Sequence, residues 1–268
     1  MIRPQMNTIW ILCLCGGLLS SCQKSAEQPQ QPQKPAVEQP AAPAPVAVQP
    51  APAQASQEKV AVAGEKAAGE ELVPLNIKLP KPMFVGTPTN LAVQNLEKPL
   101  GHPRPPFLAP AGTKNVALKK PVTGSDEQPI IGELVMVVDG DKEAAEGSFV
   151  ELGPNQQYVM IDLKGQFTIY AIMVWHYHKQ AVVYHDVIVQ VAVDPDFIAN
   201  VKTVFNNDID NTSGKGVGKD MGYVETSEGK LIDAKGVQGR YVRLYSRGNT
   251  ANDLNHYIEV EVYGKAVL

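Results

Sequence analysis

Proline divides this 268-residue chain into a part that cannot build a regular core and a part that can. Of its 22 prolines, 19 lie at or before Pro121, and only Pro129, Pro154 and Pro195 follow. Each proline removes a backbone donor and fixes one dihedral, so a dense run of them excludes helix interiors and central strands. A compact core must therefore come mostly from the C-terminal half. The formal net charge is -4, without the basic face a nucleic-acid binder needs. No stretch after residue 21 is apolar for long enough to span a bilayer.

All three cysteines, Cys13, Cys15 and Cys22, sit at the extreme N-terminus. Arg3 precedes an apolar run from Ile9 to Leu19, of the length of a signal-peptide h-region, which ends in Leu19-Ser20-Ser21-Cys22. Small residues before a cysteine resemble the bacterial lipobox, which implies a lipoprotein signal over residues 1–21 and a lipid on Cys22. The thiol would then be blocked, disulfides would play no part in the fold, and acyl chains would anchor the protein without a spanning helix. Gln23 is not the inner-membrane retention signal of enteric bacteria, so the expected location is the bacterial envelope, at the outer membrane.

Residues 22–70 are almost entirely Gln, Pro, Ala, Val, Glu and Lys, with no aromatic residue. That composition buries too little apolar surface to offset chain entropy and predicts a disordered tether. Where it is polyproline II, at about 3.1 Å per residue, it would hold a folded head on the order of 100 Å from the membrane. Residues 71–112 keep the prolines but regain Leu, Val, Ile and Phe. They read as extended chain that either lies on the head or docks a partner.

Beyond residue 113 the signal is strands: Tyr158–Leu163, Ile169–Trp175, Val182–Val193, Arg240–Tyr245 and Tyr257–Tyr263 are rich in β-branched and aromatic residues. No segment there shows a 3.6-residue apolar period, so residues 113–268 are expected to be all-β, an antiparallel sandwich or barrel. Asp139-Gly140-Asp141, the Tyr158–Leu163 strand, Arg240-Tyr241-Val242-Arg243-Leu244 and the closing Glu259-Val260-Glu261-Val262-Tyr263-Gly264 follow one another as in discoidin domains. The chain resembles that family, also called coagulation factor V/VIII type C, and the related family-32 carbohydrate-binding modules. The resemblance implies a jelly-roll β-sandwich of the galactose-binding-like type. It departs from the pattern in lacking the tryptophan after the Asp-Gly loop, in reading Asp162-Leu163-Lys164-Gly165 at the turn, and in an insert from Asn206 to Lys230.

The resemblance also implies a structural calcium between Asp139, Asp141 and Glu259, since a hard cation needs several oxygens; the same residues read equally as a turn and an edge charge. Asn206 to Gly214 carries oxygen donors at alternating positions but reads as a plain surface loop. A hairpin around Gln180 would pair Trp175 with His185 and His176 with Tyr184, which matches apolar with apolar. It predicts a buried His185, with His176 and His178 on the other face as a two-ligand patch or a polar recognition surface. The loop from Ser246 to His256 offers Arg247, Asn249, Asn252 and His256, planar multi-donor groups suited to sugar hydroxyls. No nucleophile elbow or phosphate loop is present. The expected role is non-catalytic binding of carbohydrate or envelope polysaccharide. The alternatives are a protein–protein adhesion or scaffolding module and a metal-dependent hydrolase centred on His176 and His178.

Overall fold

The structure is a computed structural model, and it describes residues 70–84 and 91–267, all within one compact unit spanning Gly64–Leu268. The expected signal sequence, Cys22 and the expected tether up to residue 69 lie outside the described residues.

Two long antiparallel strands form the spine. β6 (Gln157–Trp175) and β9 (Lys230–Ser246) stay in register from Gln157↔Ser246 to Val174↔Lys230, with shifts after Asp162 and after Ile169. The sequence reads β6 as two strands; the structure bends one strand at a bulge. The Asp162 carboxylate accepts the Lys164 N–H at 2.8 Å, and Lys164 takes a left-handed φ of 61°. Arg240 then clamps the bulge from β9, its Nε and Nη2 donating to the two Asp162 oxygens at 2.8 and 2.9 Å.

The flanks differ at the two ends of the spine. β4 (Val122–Gly124) lines the first half of β6, and β11 (Glu259–Ala266) lines the second half. β7 (Ile188–Ala192) pairs with the end of β9, and β8 (Lys202–Asn206) forms the edge beyond it. β3 (Lys114–Asn115) closes the opposite edge against β11. Two small ladders complete the molecule: β1 (Leu72–Pro74) with β2 (Leu108–Pro110), and β5 (Val150–Leu152) with β10 (Asn255–Tyr257). All eight ladders are antiparallel. One 3-10 turn, Leu134–Val138, is the sole helical element among the described residues.

Alternation explains the first half of β6: Val159, Ile161 and Leu163 enter the core while their neighbours remain partly exposed. In the second half, Ala171 to Trp175 are all at 0% exposure. One face of this run meets the main core of Val189, Val242, Val260 and Val262. The other face, with Met173 and Trp175, packs on Leu75, Ile77 and Phe107. The proline-rich segment thus lies on the head and covers a strand that would otherwise present apolar side chains to water. Burying side chains of this size stabilises by about 2–3 kcal/mol each.

Two expectations are corrected here. Of the Val182–Val193 strand only Ile188–Ala192 forms, and the Gln180 hairpin is absent. Residues 183–185 instead bond to the 247–250 loop: Val183 O accepts from Thr250 N at 3.0 Å, and His185 exchanges backbone bonds with Gly248 and Arg247. With β11 and β9 already on both edges of Ala171–Trp175, no edge is left for a hairpin partner. His185 is consequently exposed, not buried.

Candidate functional site

Without the hairpin, the chain leaving β6 turns inward. His176 and His178 are both fully buried, so neither is a surface ligand or a recognition patch. His176 Nδ1 lies 2.6 Å from Glu225 Oε1, and its ring stacks on Tyr184 at 4.3 Å. The Tyr184 hydroxyl meets His256 Nδ1 at 2.8 Å, and His256 Nε2 meets Glu151 Oε2 at 3.0 Å. These five residues form a polar ladder through the interior. Burial holds the His256 pKa below its ordinary value, against the opposing pull of Glu151. His178 Nε2 is used on the Lys142 carbonyl at 2.9 Å. The hydrolase reading loses its centre, because both rings are sealed from any substrate.

The 247–256 loop spends most of its polar groups on itself. The Asn249 side chain is buried and donates to Asn252 Oδ1 and Leu254 O at 2.9 and 3.0 Å, while its own oxygen accepts from Ala251 N. Asn252 is exposed, but its oxygen also accepts from Leu254 N. His256 belongs to the ladder. Of the four expected ligand contacts Arg247 and Asn252 are exposed, Arg247 with Nη1 4.0 Å from Asp186. Asn249 and His256 are therefore scaffold, since their donors and acceptors are already matched.

At the start of β11, Glu259 is fully buried. Its Oε2 accepts the Gly140 N–H at 3.1 Å and its Oε1 has no partner. Burial pushes its pKa up to about 9. Asp139 and Asp141 each use one oxygen to accept a backbone N–H two residues on, at 2.8 and 3.0 Å. Their carboxylates and that of Glu259 do not converge as a trio; among the described residues, Asp186, Asp208 and Asp210 do, with oxygens within 4.8 Å of one another. The insert's plain loop thus brings Asp208 and Asp210 up to Asp186, and Thr212 and Ser213 already donate to Asp208 and Asp186 at 2.7 to 3.0 Å. Burial raises the Asp186 pKa.

Beside these acids opens a cleft of about 570 Å³. Tyr184, His185 and Asp186 line it, with Asn207 and Asp210 from the insert, Thr250 from the last loop, and Leu91 to Asn95 from the N-terminal segment. Its volume falls within the range of small-ligand sites. Of the expected binding residues none lines it, although Arg247 stands next to it through Asp186. Tyr184, His185 and Asp186 are the residues that sequence reading missed as a site, because the hairpin register had assigned them to a sheet.

No protein-family model and no curated protein matches this chain. Among solved structures it is similar to the CBM32 of AlyQ in complex with 4,5-unsaturated mannuronic acid, at 16% identity and a TM-score of 0.40, covering 53% of this chain and 92% of that one. It is also similar to a fucose binding module of Streptococcus pneumoniae, at 19% identity and a TM-score of 0.41, covering 56% of this chain and 97% of that one. A family 89 glycoside hydrolase from Clostridium perfringens matches at 18% identity and a TM-score of 0.42 over 57% of this chain, which spans 15% of that protein's length. The strand order and register described above, not these likenesses, carry the assignment of architecture. The described residues are all-β apart from one 3-10 turn, with antiparallel ladders throughout, as the strand pattern of the sequence predicts.

Proposed function

We propose that this protein is an envelope lipoprotein, anchored through Cys22, whose head binds carbohydrate without catalysing its conversion. The observation that carries the reading is the cleft, with His185, Asp186, Asn207, Asp210 and Thr250 along it. Imidazole, amide, carboxylate and hydroxyl together match the mixed donors and acceptors of sugar hydroxyls. The discoidin resemblance of the sequence supports the same ligand class. Asp186 and Asp210 give the cleft an acidic lining, so neutral or amine-bearing glycans should bind better than uronic acids. The test is binding of the full chain in detergent to immobilised galactan, chitosan and alginate. Saturable binding to galactan or chitosan, weaker on alginate, is expected; binding to none of the three overturns the reading. For the anchor, metabolic labelling with palmitate should be lost in Cys22→Ser, and labelling that persists would refute it.

A structural calcium is part of the proposal. The unpartnered buried Oε1 of Glu259 beside the Asp139-Gly140 turn fits a hard cation. Glu259 and Asp139 would hold it, and it would supply a positive charge that ties the turn to β11. Asp141 is less suited, being engaged with the Glu143 N–H. Added calcium should raise the melting temperature and chelation lower it; an unchanged temperature removes the ion from the proposal.

A second reading, a protein-binding module, has one observation in its favour. Leu72, Leu79, Leu100 and Leu108 on the N-terminal segment are each more than half exposed, at 58, 54, 57 and 53%. Loss of an envelope cross-link in Leu79→Asp and Leu100→Asp, with glycan binding intact, would mark that surface as a separate site.

A further inference from the structure

Two stretches that the discoidin pattern does not account for, the N-terminal segment and the 206–230 insert, meet each other at Gly222. Leu96 and Gly222 form a parallel bridge. Gly222 N donates to Asn95 O at 2.9 Å, Glu97 N donates to Gly222 O at 2.7 Å, and Asn95 Nδ2 reaches Asp220 O at 3.2 Å. Glu97 also pairs with Lys230 at the far end of the insert, whose ammonium lies 4.9 Å from the Tyr223 ring and 5.3 Å from the Phe205 ring. Further along, Arg104 donates to Glu228 O at 2.9 Å. A mere spacer gains nothing from being held at so many points.

The pinned stretch leads straight into the cleft. Residues 91–95 line it together with the head's own 183–186 loop and the insert's Asn207 and Asp210. Gln94 is exposed there and is the polar side chain that the segment presents ahead of Asn95, whose amide is engaged.

We propose that residues 91–95 are a ligand-contacting wall of this cleft, with Gln94 as the polar contact and Glu97 as the positioning residue that seats it. The inference rests on the carbohydrate reading and goes beyond it: the binding site is not contained in the discoidin-like sandwich and is incomplete without chain that precedes it. A wall fixed in advance loses little freedom when ligand arrives, which is the general advantage of preorganisation.

The test compares full chains in detergent on the same galactan, chitosan and alginate surfaces: wild type, Gln94→Ala, Glu97→Ala, and His185→Ala as the head-side control. Amide exchange of residues 95–97 is measured on each. The expected result is slow exchange at Glu97 in wild type and faster exchange in Glu97→Ala. Binding should weaken by about 3- to 10-fold in Gln94→Ala, the worth of one hydrogen bond, with its melting temperature unchanged. Glu97→Gln, which keeps a hydrogen-bonding end, should recover part of both the protection and the binding. If His185→Ala weakens binding and the segment variants do not, the composite wall is wrong and the carbohydrate reading stands. If none of the variants weakens binding, the ligand sits elsewhere and the wall is again wrong. If wild type binds no glycan, the reading and the inference fall together. Free exchange of Glu97 in wild type also overturns the inference, whatever the glycans do.

Discussion

Two neighbouring loops carry the same kinds of side chain and use them in opposite ways. The 247–256 loop is dense in Asn and His, and it turns them inward: Asn255 alone makes four hydrogen bonds, accepting from Ser246 Oγ and Gly248 N and donating to Gly153 O and Asn155 O. The 183–186 loop has fewer polar residues, yet His185 and Asp186 face the cleft. The difference teaches that a polar group can serve a ligand only where it is exposed and unspent: His185 is exposed, whereas Asp186 already accepts from Thr212 Oγ1 at 2.7 Å. Satisfied groups have nothing left to offer a ligand.

The comparison can be broken most directly at Asn255. Asn255→Ala leaves several buried partners unmatched, and an expected loss of about 3 kcal/mol would be read by denaturant unfolding. A loss under 1 kcal/mol would mean that the loop is not held as described. Asn249→Ala should cost about 1–2 kcal/mol on the same grounds. His185→Ala should do the reverse, changing stability by less than about 0.5 kcal/mol while weakening glycan binding. If Asn249→Ala proved harmless to folding but fatal to binding, the assignment of the two loops would be inverted.

His256 sharpens the contrast through pH. Its folded pKa is depressed by burial, so the unfolded chain takes up the proton first on acidification. The stability it contributes is present above the unfolded value of about 6.5 and is lost as pH falls below it. Urea midpoints between pH 7.5 and 5.5 should fall in wild type and flatten in His256→Gln. An equal slope in both would place the titrating group elsewhere. The smallest effect belongs to Arg247→Ala. Its contact with Asp186 is long at 4.0 Å and its own side chain is 43% exposed, so stability should move by less than about 0.5 kcal/mol and binding by less than in His185→Ala.

Legibility followed the range of the interaction. The Tyr158–Leu163 strand could be read because alternation is a local property, and the Asp162–Lys164 turn because an Asx bond spans two residues. The face of His176 could not, since its partner Glu225 lies 49 positions away. His185 was misplaced for a related reason. The hairpin that would bury it is the best local pairing, but β11 and β9 occupy both edges of Ala171–Trp175. The strand through Ala171 to Trp175 is readable, but its burial on both faces is not, since what covers the outer face comes from Leu75, Ile77 and Phe107.

By itself, then, the sequence determined that the core beyond residue 113 is all-β and where several of its strands run, because composition and two-residue periodicity act over a few neighbours. That the proline-rich segment also folds onto this core was not determined by it. Only the tertiary structure decided which polar residues are free. A hydrogen bond consumes a donor and an acceptor wherever in the chain they originate, so availability is a property of the packed molecule. The cleft at Tyr184 to Asp186, walled by a segment about ninety residues earlier, exists in no local stretch of the chain.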